Sequence, residues 1–209
     1  DLTNSFTGTI DVLIMNQFLP AASLGQYKIA SAFGKIVRIS LTSFSNFMLP
    51  ELSGITKNKE RALDYIEANY KYITLIGLTI FVVTLISSHM VAATYYSEDA
   101  TTIFPLFLVL SFGYLYNSLC GPNGTIIVSF DRVRDLFKID LISTIISVIL
   151  LYLLTWHFGL FGSAFAFTIS SVFYNSLKNS KVIEILPGYK RIVIMAVKYF
   201  IGFSLLISA

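Results

Sequence analysis

Apolar residues occupy this chain in long blocks that short polar connections separate. Seven blocks stand out, at residues 2–20, 25–49, 72–94, 103–129, 139–156, 160–177 and 192–209. An α-helix needs about 20 apolar residues to cross the ~30 Å hydrocarbon core of a bilayer. Most blocks carry aromatic residues near their ends, as is typical of membrane–water interfaces. The pattern predicts an all-α fold, a polytopic bundle of about seven transmembrane helices.

Positive charge alternates between successive connections. The connections after the first, third and fifth blocks contain no Lys or Arg. The other three connections hold Lys57, Lys59, Arg61 and Lys71, then Arg132, Arg134 and Lys138, and then Lys178, Lys181, Lys190 and Arg191. Because cytoplasmic loops of membrane proteins are rich in Lys and Arg, this alternation places the start of the chain on the cytoplasmic side. We expect a multi-pass membrane protein whose first helix runs outward.

Composition agrees with a membrane protein and disfavours several other classes. Hydrophobic residues make up 55% and charged residues 13% of the 209 residues, whereas soluble domains carry about 25% charged residues. The net charge of +3 does not indicate nucleic acid binding, because the basic residues are grouped in the connections between the apolar blocks. The single cysteine, Cys120, excludes a disulfide framework and is expected to be a small packing residue. Both ends of the sequence look truncated, so we expect a piece of a longer protein.

The second block carries a narrow polar face. At 100° per residue, six polar residues fall within about 80° of one another. They are Lys28, Ser31, Lys35, Arg38, Thr42 and Asn46. A charge facing lipid at the bilayer centre costs about 2.5–3.5 kcal/mol, and Lys35 and Arg38 lie too deep to reach the headgroups easily. We therefore predict that Lys28, Lys35, Arg38 and Asn46 line a water-filled cavity.

Asp11, in the first block, is the obvious partner for these cations. It continues a helical spacing with Asn4 and Thr7. Two interpretations compete: a buried ion pair that holds two helices in register, or excess cations that receive an anionic substrate. Three cations against one carboxylate favour the second, with Arg38 suited to a forked phosphate contact and Lys35 acting as a point charge. Lys198 is a weaker candidate for the same role.

Two further stretches leave alternatives open. Gly121, Pro122 and Gly124 interrupt the fourth block, and they predict either a hinge or a helix end tolerated by packing. Residues 55–72 have apolar positions at helical spacing, which fits a surface helix on the inner membrane face or an extension of the next membrane helix.

Sequence signals for catalysis are absent. Gly34-Lys35 lacks the upstream glycine and the following Ser or Thr of a phosphate-binding loop. The sequence also contains no HExxH motif and no Cys/His cluster. His89 and His157 stand alone near predicted membrane boundaries and are expected to be interfacial. We therefore expect no enzyme, no cofactor and no metal site.

Two stretches resemble the Wzx-type polysaccharide and O-antigen flippases of the MATE-like multidrug/oligosaccharidyl-lipid/polysaccharide exporter superfamily. The first is IDVLIMNQFLPAASLGQYKIASAFGKI, with its continuation FMLPELSG, and the second is WHFGLFGSAFAFTIS. The resemblance implies a 12–14-helix transporter, of which residues 1–209 would be most of the C-terminal half. It also implies translocation of an undecaprenyl-diphosphate-linked oligosaccharide (O-antigen, capsule or a related glycan) across the bacterial inner membrane, alongside a polysaccharide polymerase and glycosyltransferases. Carried over to this sequence, Asp11 takes the place of the family's acidic residue, with a coupling role.

Three other functions remain possible at this point. A multidrug or cation antiporter of the same superfamily should have an acidic or aromatic cavity, which Lys35 and Arg38 argue against. A polytopic membrane enzyme acting on lipid-linked glycans needs a carboxylate or histidine cluster at one membrane face. A scaffold subunit of a polysaccharide assembly complex would tolerate charge reversal at both cations.

Overall fold

The computed structural model describes residues 11–96, 99–196 and 198, and every element in this part of the chain is a helix. In chain order they are α1 (11–18), α2 (Ala21–Ile55), α3 (Lys59–Tyr95), α4 (Ala100–Cys120), α5 (Asn123–Ser129), α6 (Val133–Ile185) and α7 (189–196). The prediction of an all-α fold is thereby confirmed for the described residues. Residues 2–10 of the first predicted block, including Asn4 and Thr7, and most of the last predicted block lie outside them.

Three helical spans are long and apolar enough to cross a membrane, judged by length and composition, and the second of them includes both α4 and α5. They span Lys59–Thr94, Ala100–Ser129 and Val133–Ile185. The α2 helix, which carries Lys28, Lys35 and Arg38, is not among them. The structure is therefore compatible with a membrane protein, and a count of seven membrane helices remains a prediction.

The longest helix, α6, is a hairpin. At 1.5 Å per residue a straight helix of its 53 residues would extend about 80 Å. Instead the Tyr174 hydroxyl donates a hydrogen bond of 2.7 Å to Asp140, and Lys181 Nζ lies 3.0 Å from Asp135. Gly159 reverses the chain with φ 58° and ψ −135°, a conformation that only glycine adopts readily. The N-terminal arm (133–158) thus packs antiparallel to the C-terminal arm (160–185).

The hairpin closes tightly because Gly162 has no side chain. A Cβ at this position would collide with the backbone carbonyl of Leu154 on the other arm. Thr155 and Ser163 exchange a hydrogen bond of 3.1 Å across the same point. Close contact at the bend fixes which residues of the two arms face each other further down.

Two helix boundaries differ from those of the apolar blocks. The α2 helix continues through Pro50 to Ile55, although Pro50 cannot donate a bond to the carbonyl of Asn46. The α3 helix begins at Lys59, where the Asn58 side chain accepts a 3.0 Å hydrogen bond from the backbone N–H of Arg61. Residues 59–71 are therefore the first part of α3 and not a separate surface helix.

Three apolar core clusters in the described residues include buried side chains of α2, and two of them contact its second and first halves, respectively. One cluster joins the end of α2 to the start of α3, to α5, to the end of α6 and to α7, with Met48, Leu52, Ile66, Ile126 and Tyr189 at its centre. A second cluster joins α2 to α4 through Ala30, Phe107 and Tyr114. The polar face of α2 lies between these two packed regions and remains accessible.

Candidate functional site

A cavity of about 680 Å³ lies between α1, α2, α4 and both arms of α6. The α2 helix contributes Lys28, Ser31, Lys35 and Arg38, because the i, i+3, i+7 and i+10 positions share one face. Asp11 of α1 lines the same cavity. Five of the polar residues singled out in the sequence are thus brought together at one place.

The three cations of α2 have no carboxylate partner among the residues that the structure describes. All three are exposed. The ion pairs found in the described ranges involve Arg132, Lys181 and Arg191 as cations, and none involves Lys28, Lys35 or Arg38. Asp11 likewise has no ion pair within 4.0 Å in this part of the chain. A fixed Asp11–cation pair, the structural alternative raised by the sequence, is therefore not present in the described geometry.

Asn46 and Thr42 occupy the same helical face but do not line the cavity. Thr42 donates a 3.1 Å hydrogen bond to the carbonyl of Arg38 on its own helix, and Asn46 is exposed one turn further on. Next to Asn46, Met48 and Leu52 are already buried in the cluster formed with α3, α5 and α7. Lys198 is exposed and also does not line the cavity.

The wall opposite α2 contains a second carboxylate that the sequence analysis missed. Asp140, on the N-terminal arm of α6, accepts the hydrogen bond from Tyr174 on the C-terminal arm, and both residues line the cavity. The Lys178 ammonium lies 3.7 Å from the centroid of the Tyr174 ring, so a cation also contacts the tyrosine of the Asp140–Tyr174 pair. The cavity lining thus carries three cations and two carboxylates.

Hydroxyl groups on the two arms of α6 point to a polar occupant. Ser143 and Ser170 line the cavity with residue exposures of 7% and 8%, and neither hydroxyl has a hydrogen-bond partner among the described residues. Buried hydroxyl groups are normally hydrogen-bonded, so water or a polar ligand is expected beside them. The spacing of Asp140, Ser143, Thr144 and Ser147 at i, i+3, i+4 and i+7 is the sequence signal by which this wall could have been found.

The predicted hinge residues lie between α4 and α5, in what we call the α4–α5 junction (residues 119–124). The α4 helix ends at Cys120, Gly121 adopts φ 64°, and Pro122 precedes the first residue of α5. A Cβ on Gly121 would collide with the ring of Tyr70. A Cβ on Gly124 would lie 3.4 Å from Lys178 Nζ. Positive φ and close packing explain glycine at position 121 without any reference to movement.

Side chains from distant helices satisfy the polar groups of the α4–α5 junction. The side-chain amide nitrogen of Asn123 donates to Asn175 Oδ1 at 3.4 Å and to Asn179 Oδ1 at 3.3 Å. The amide nitrogen of Asn179 donates to Cys120 Sγ at 3.0 Å. The Tyr189 hydroxyl donates to the Cys120 carbonyl at 2.9 Å. The Tyr70 hydroxyl donates to the Leu119 carbonyl. The last carbonyls of α4, which a helix end leaves without partners, are bonded in this way.

Histidine and cysteine form no reactive cluster in the described residues. His89 makes an edge contact with Phe104, with ring centroids 5.0 Å apart, and His157 lies against Trp156 at 4.8 Å. Cys120 is buried within the α4–α5 junction. No group of three or more His, Cys, Asp or Glu residues is placed to hold a metal ion within the ranges that the structure describes.

No protein-family model, curated protein or solved structure matches this chain. A function is therefore inferred from the cavity and its residues, and the family resemblance of the two sequence stretches remains an expectation.

Proposed function

We propose that this chain is half of a flippase that moves an undecaprenyl-diphosphate-linked oligosaccharide across the bacterial inner membrane. The observation that carries the proposal is the set of three cations, Lys28, Lys35 and Arg38, that share one cavity without carboxylate partners in the described chain. A diphosphate cannot enter hydrocarbon unaided, since an isolated charge there is very costly. The cationic wall of α2 replaces water around it.

The two walls of the cavity suit the two polar parts of such a headgroup. On the α2 side, Arg38 provides a planar fork that matches phosphate oxygens, and Lys35 provides a compact charge. On the α6 side, Asp140, Tyr174 and the hydroxyls of Ser143 and Ser170 offer donors and acceptors of the kind that sugar hydroxyls require. The polyprenyl tail has no charge and stays in the lipid.

Movement of the headgroup requires the cavity to open to each side in turn. We propose rocking of this half, with about seven membrane helices, against a second half in a 12–14-helix transporter. Asp11 is proposed as a protonatable coupling residue. Transport that stays fully dependent on the ion gradient after Asp11→Ala would exclude that role. A polysaccharide polymerase and glycosyltransferases are proposed partners, supported only by the family resemblance of the sequence.

A cation antiporter is the second candidate, and the presence of Asp140 favours it. Two carboxylates and the rings of Tyr27, Tyr114 and Tyr174 line the cavity, and such groups hold organic cations well. Three cations against two carboxylates nevertheless leave the cavity positive. For this reason the anionic substrate remains the better fit.

Reversal of charge on α2 tests the proposal. Lys35→Glu combined with Arg38→Glu should lower transport at least tenfold, because both lost attractions become repulsions. The measurement is the amount of lipid-linked oligosaccharide that accumulates on the cytoplasmic leaflet. Lys57→Glu combined with Lys59→Glu is the matched control, because both of these lysines are exposed and neither lines the cavity.

The outcomes separate the candidates. Unchanged transport in the folded double variant would support a scaffold and contradict the flippase proposal. Increased export of organic cations by the same variant would support the antiporter.

A further inference from the structure

The N-terminal arm of α6 presents a long apolar stripe to the outside of the bundle. Phe137, Leu141 and Ile145 are 66%, 52% and 53% exposed, and the stripe continues to Trp156. From residue 137 to residue 156 a helix rises about 28 Å, which matches the ~30 Å thickness of the hydrocarbon core. An aromatic residue at one end and basic residues at the other are typical of a helix face in contact with lipid.

A second cavity, of about 540 Å³, lies at the basic end of this stripe, around the turn between α5 and α6. It is lined by Asp131, Arg132, Val133, Arg134, Asp135 and Lys138. Asp135 is already engaged, because its carboxylate lies 3.0 Å from Lys181 and 3.6 Å from Arg132. Arg134 and Lys138 are exposed and have no ion pair in the described part of the chain. This leaves two cations available for a ligand.

The turn that carries this cavity has a defined shape. The backbone N–H of Arg132 donates to the Ile127 carbonyl at 3.0 Å, and that of Asp131 donates to the Val128 carbonyl at 2.9 Å. Asp131 adopts φ 58°, so the turn has the hydrogen-bond pattern of a Schellman motif. The positions of Arg134 and Lys138 relative to α5 are therefore set before any ligand binds.

The two available cations lie on the same helical face as the apolar stripe. At 100° per residue, Arg134, Lys138, Leu141 and Ile145 fall within about 60° of one another. A ligand that contacts both groups must be anionic at one end and apolar along the rest. We propose that this face is a binding site for an anionic phospholipid, with the phosphate between Arg134 and Lys138 and an acyl chain along Leu141 and Ile145.

Charge balance explains why an anionic lipid fits better than a zwitterionic one. Asp131 also lines the cavity and has no ion pair in the described ranges, so the groups left available are two cations and one carboxylate. A lipid with a single net negative charge neutralises the remaining positive charge. A zwitterionic headgroup adds a second cation next to Arg134 and Lys138.

A tryptophan reporter on the stripe tests the proposal. In a Trp156→Phe background, which removes the single native tryptophan, Ile145→Trp is reconstituted into vesicles of phosphatidylcholine and phosphatidylglycerol. Fluorescence quenching by acyl-brominated forms of each lipid gives their relative affinity at this position. We expect at least a fivefold preference for phosphatidylglycerol, since each basic residue near an anionic headgroup contributes roughly a fivefold factor.

Charge variants show which side chains produce the preference. Arg134→Gln combined with Lys138→Gln should reduce it to about onefold, and Asp131→Asn should increase it. Lys57→Gln combined with Lys59→Gln removes the same charge elsewhere and should leave the preference unchanged. Equal quenching in vesicles made only of brominated phosphatidylcholine verifies that each variant is inserted and folded.

A reporter on another exposed face provides the matched control. Ile86, on α3, is 57% exposed, and Ile86→Trp should show no preference between the two lipids. A preference at position 145 that is no larger than at position 86, or one that survives loss of Arg134 and Lys138, would overturn the proposal. Displacement of phosphatidylglycerol by soluble glycerol phosphate would also overturn it, because the apolar stripe would then contribute nothing.

Discussion

The cavity and the α4–α5 junction are both polar regions inside an apolar bundle, but they differ in how far their polar side chains are paired with other protein groups. At the junction, the side chains of Tyr70, Asn123, Asn179 and Tyr189 all hydrogen-bond to other parts of the protein. Among the described residues, the cations of α2 in the cavity have no ion pairs, and two buried hydroxyls of the cavity wall have no hydrogen-bond partners. Paired polar groups hold helices together, whereas unpaired groups are available to a ligand.

This comparison predicts that substitutions at the junction mainly lower stability, and that substitutions in the cavity mainly lower the proposed transport. The largest effect is expected for Gly121→Ala. Its new Cβ would meet the Tyr70 ring, and the backbone at φ 64° and ψ −158° is accessible essentially only to glycine, so backbone strain of about 1–3 kcal/mol adds to overpacking of about 1–3 kcal/mol. We expect a loss of roughly 3 kcal/mol in the free energy of unfolding, measured by thermal unfolding of the detergent-solubilised protein.

Gly25→Ala is the matched control for this variant. Gly25 lies in α2, and a Cβ at that position would meet nothing within 4 Å. Alanine is favoured over glycine in a helix, so this variant should be as stable as the native protein or slightly more stable. Equal melting temperatures for the two alanine variants would show that the junction is not closely packed.

An intermediate effect is expected for Asn123→Leu. The substitution removes the donor shared by Asn175 and Asn179 and leaves two buried amide oxygens without it. An unsatisfied buried polar group costs about 1–3 kcal/mol, so the melting temperature should fall while purified variant protein still binds substrate. Unchanged stability would mean that these long hydrogen bonds do not hold α5 against α6.

A smaller effect is expected for Tyr174→Phe, which removes the hydrogen bond between the two arms of α6 at Asp140. Asp140 lines a cavity and can be hydrated, so the loss in stability should be about 1 kcal/mol. Tyr72→Phe is the control, since Tyr72 is 60% exposed on α3 and makes no hydrogen bond through its hydroxyl in the described chain. Equal effects of the two variants on unfolding would contradict an anchoring role for Tyr174.

The smallest effect is expected for Asn46→Leu. Asn46 is exposed and lies outside the cavity lining, so stability should change by no more than about 0.5 kcal/mol. Transport of lipid-linked oligosaccharide should equal that of the native protein. A transport defect in this variant would show that the functional surface of α2 extends beyond Arg38.

The sequence was sufficient for the part of the site that lies on one helix. Lys28, Lys35 and Arg38 share a face because of helical periodicity alone, and that face lines the cavity. Periodicity does not tell where neighbouring helices begin to cover a face. Asn46 was included for that reason, although the cavity ends before it.

The rest of the site depends on contacts between residues far apart in the chain. Asp140 and Tyr174 are 34 positions apart, and Asn123 and Asn175 are 52 apart. The Asp140–Tyr174 pair follows from the register of the α6 hairpin, which the bend at Gly159 sets. The Asn123–Asn175 pair follows instead from the packing of α5 against α6. The all-α fold could be read from composition and block length, whereas this register required three-dimensional coordinates.

The bend at Gly159 also has a consequence for biogenesis. Because the two arms of α6 follow each other without a loop, we expect the translocon to release them into lipid as a pair in the proposed transporter. Asp140 then enters the bilayer next to its tyrosine donor and does not have to cross alone. Lengthening the bend with a flexible insert would uncouple the arms, and incomplete insertion of the first arm is the defect to expect.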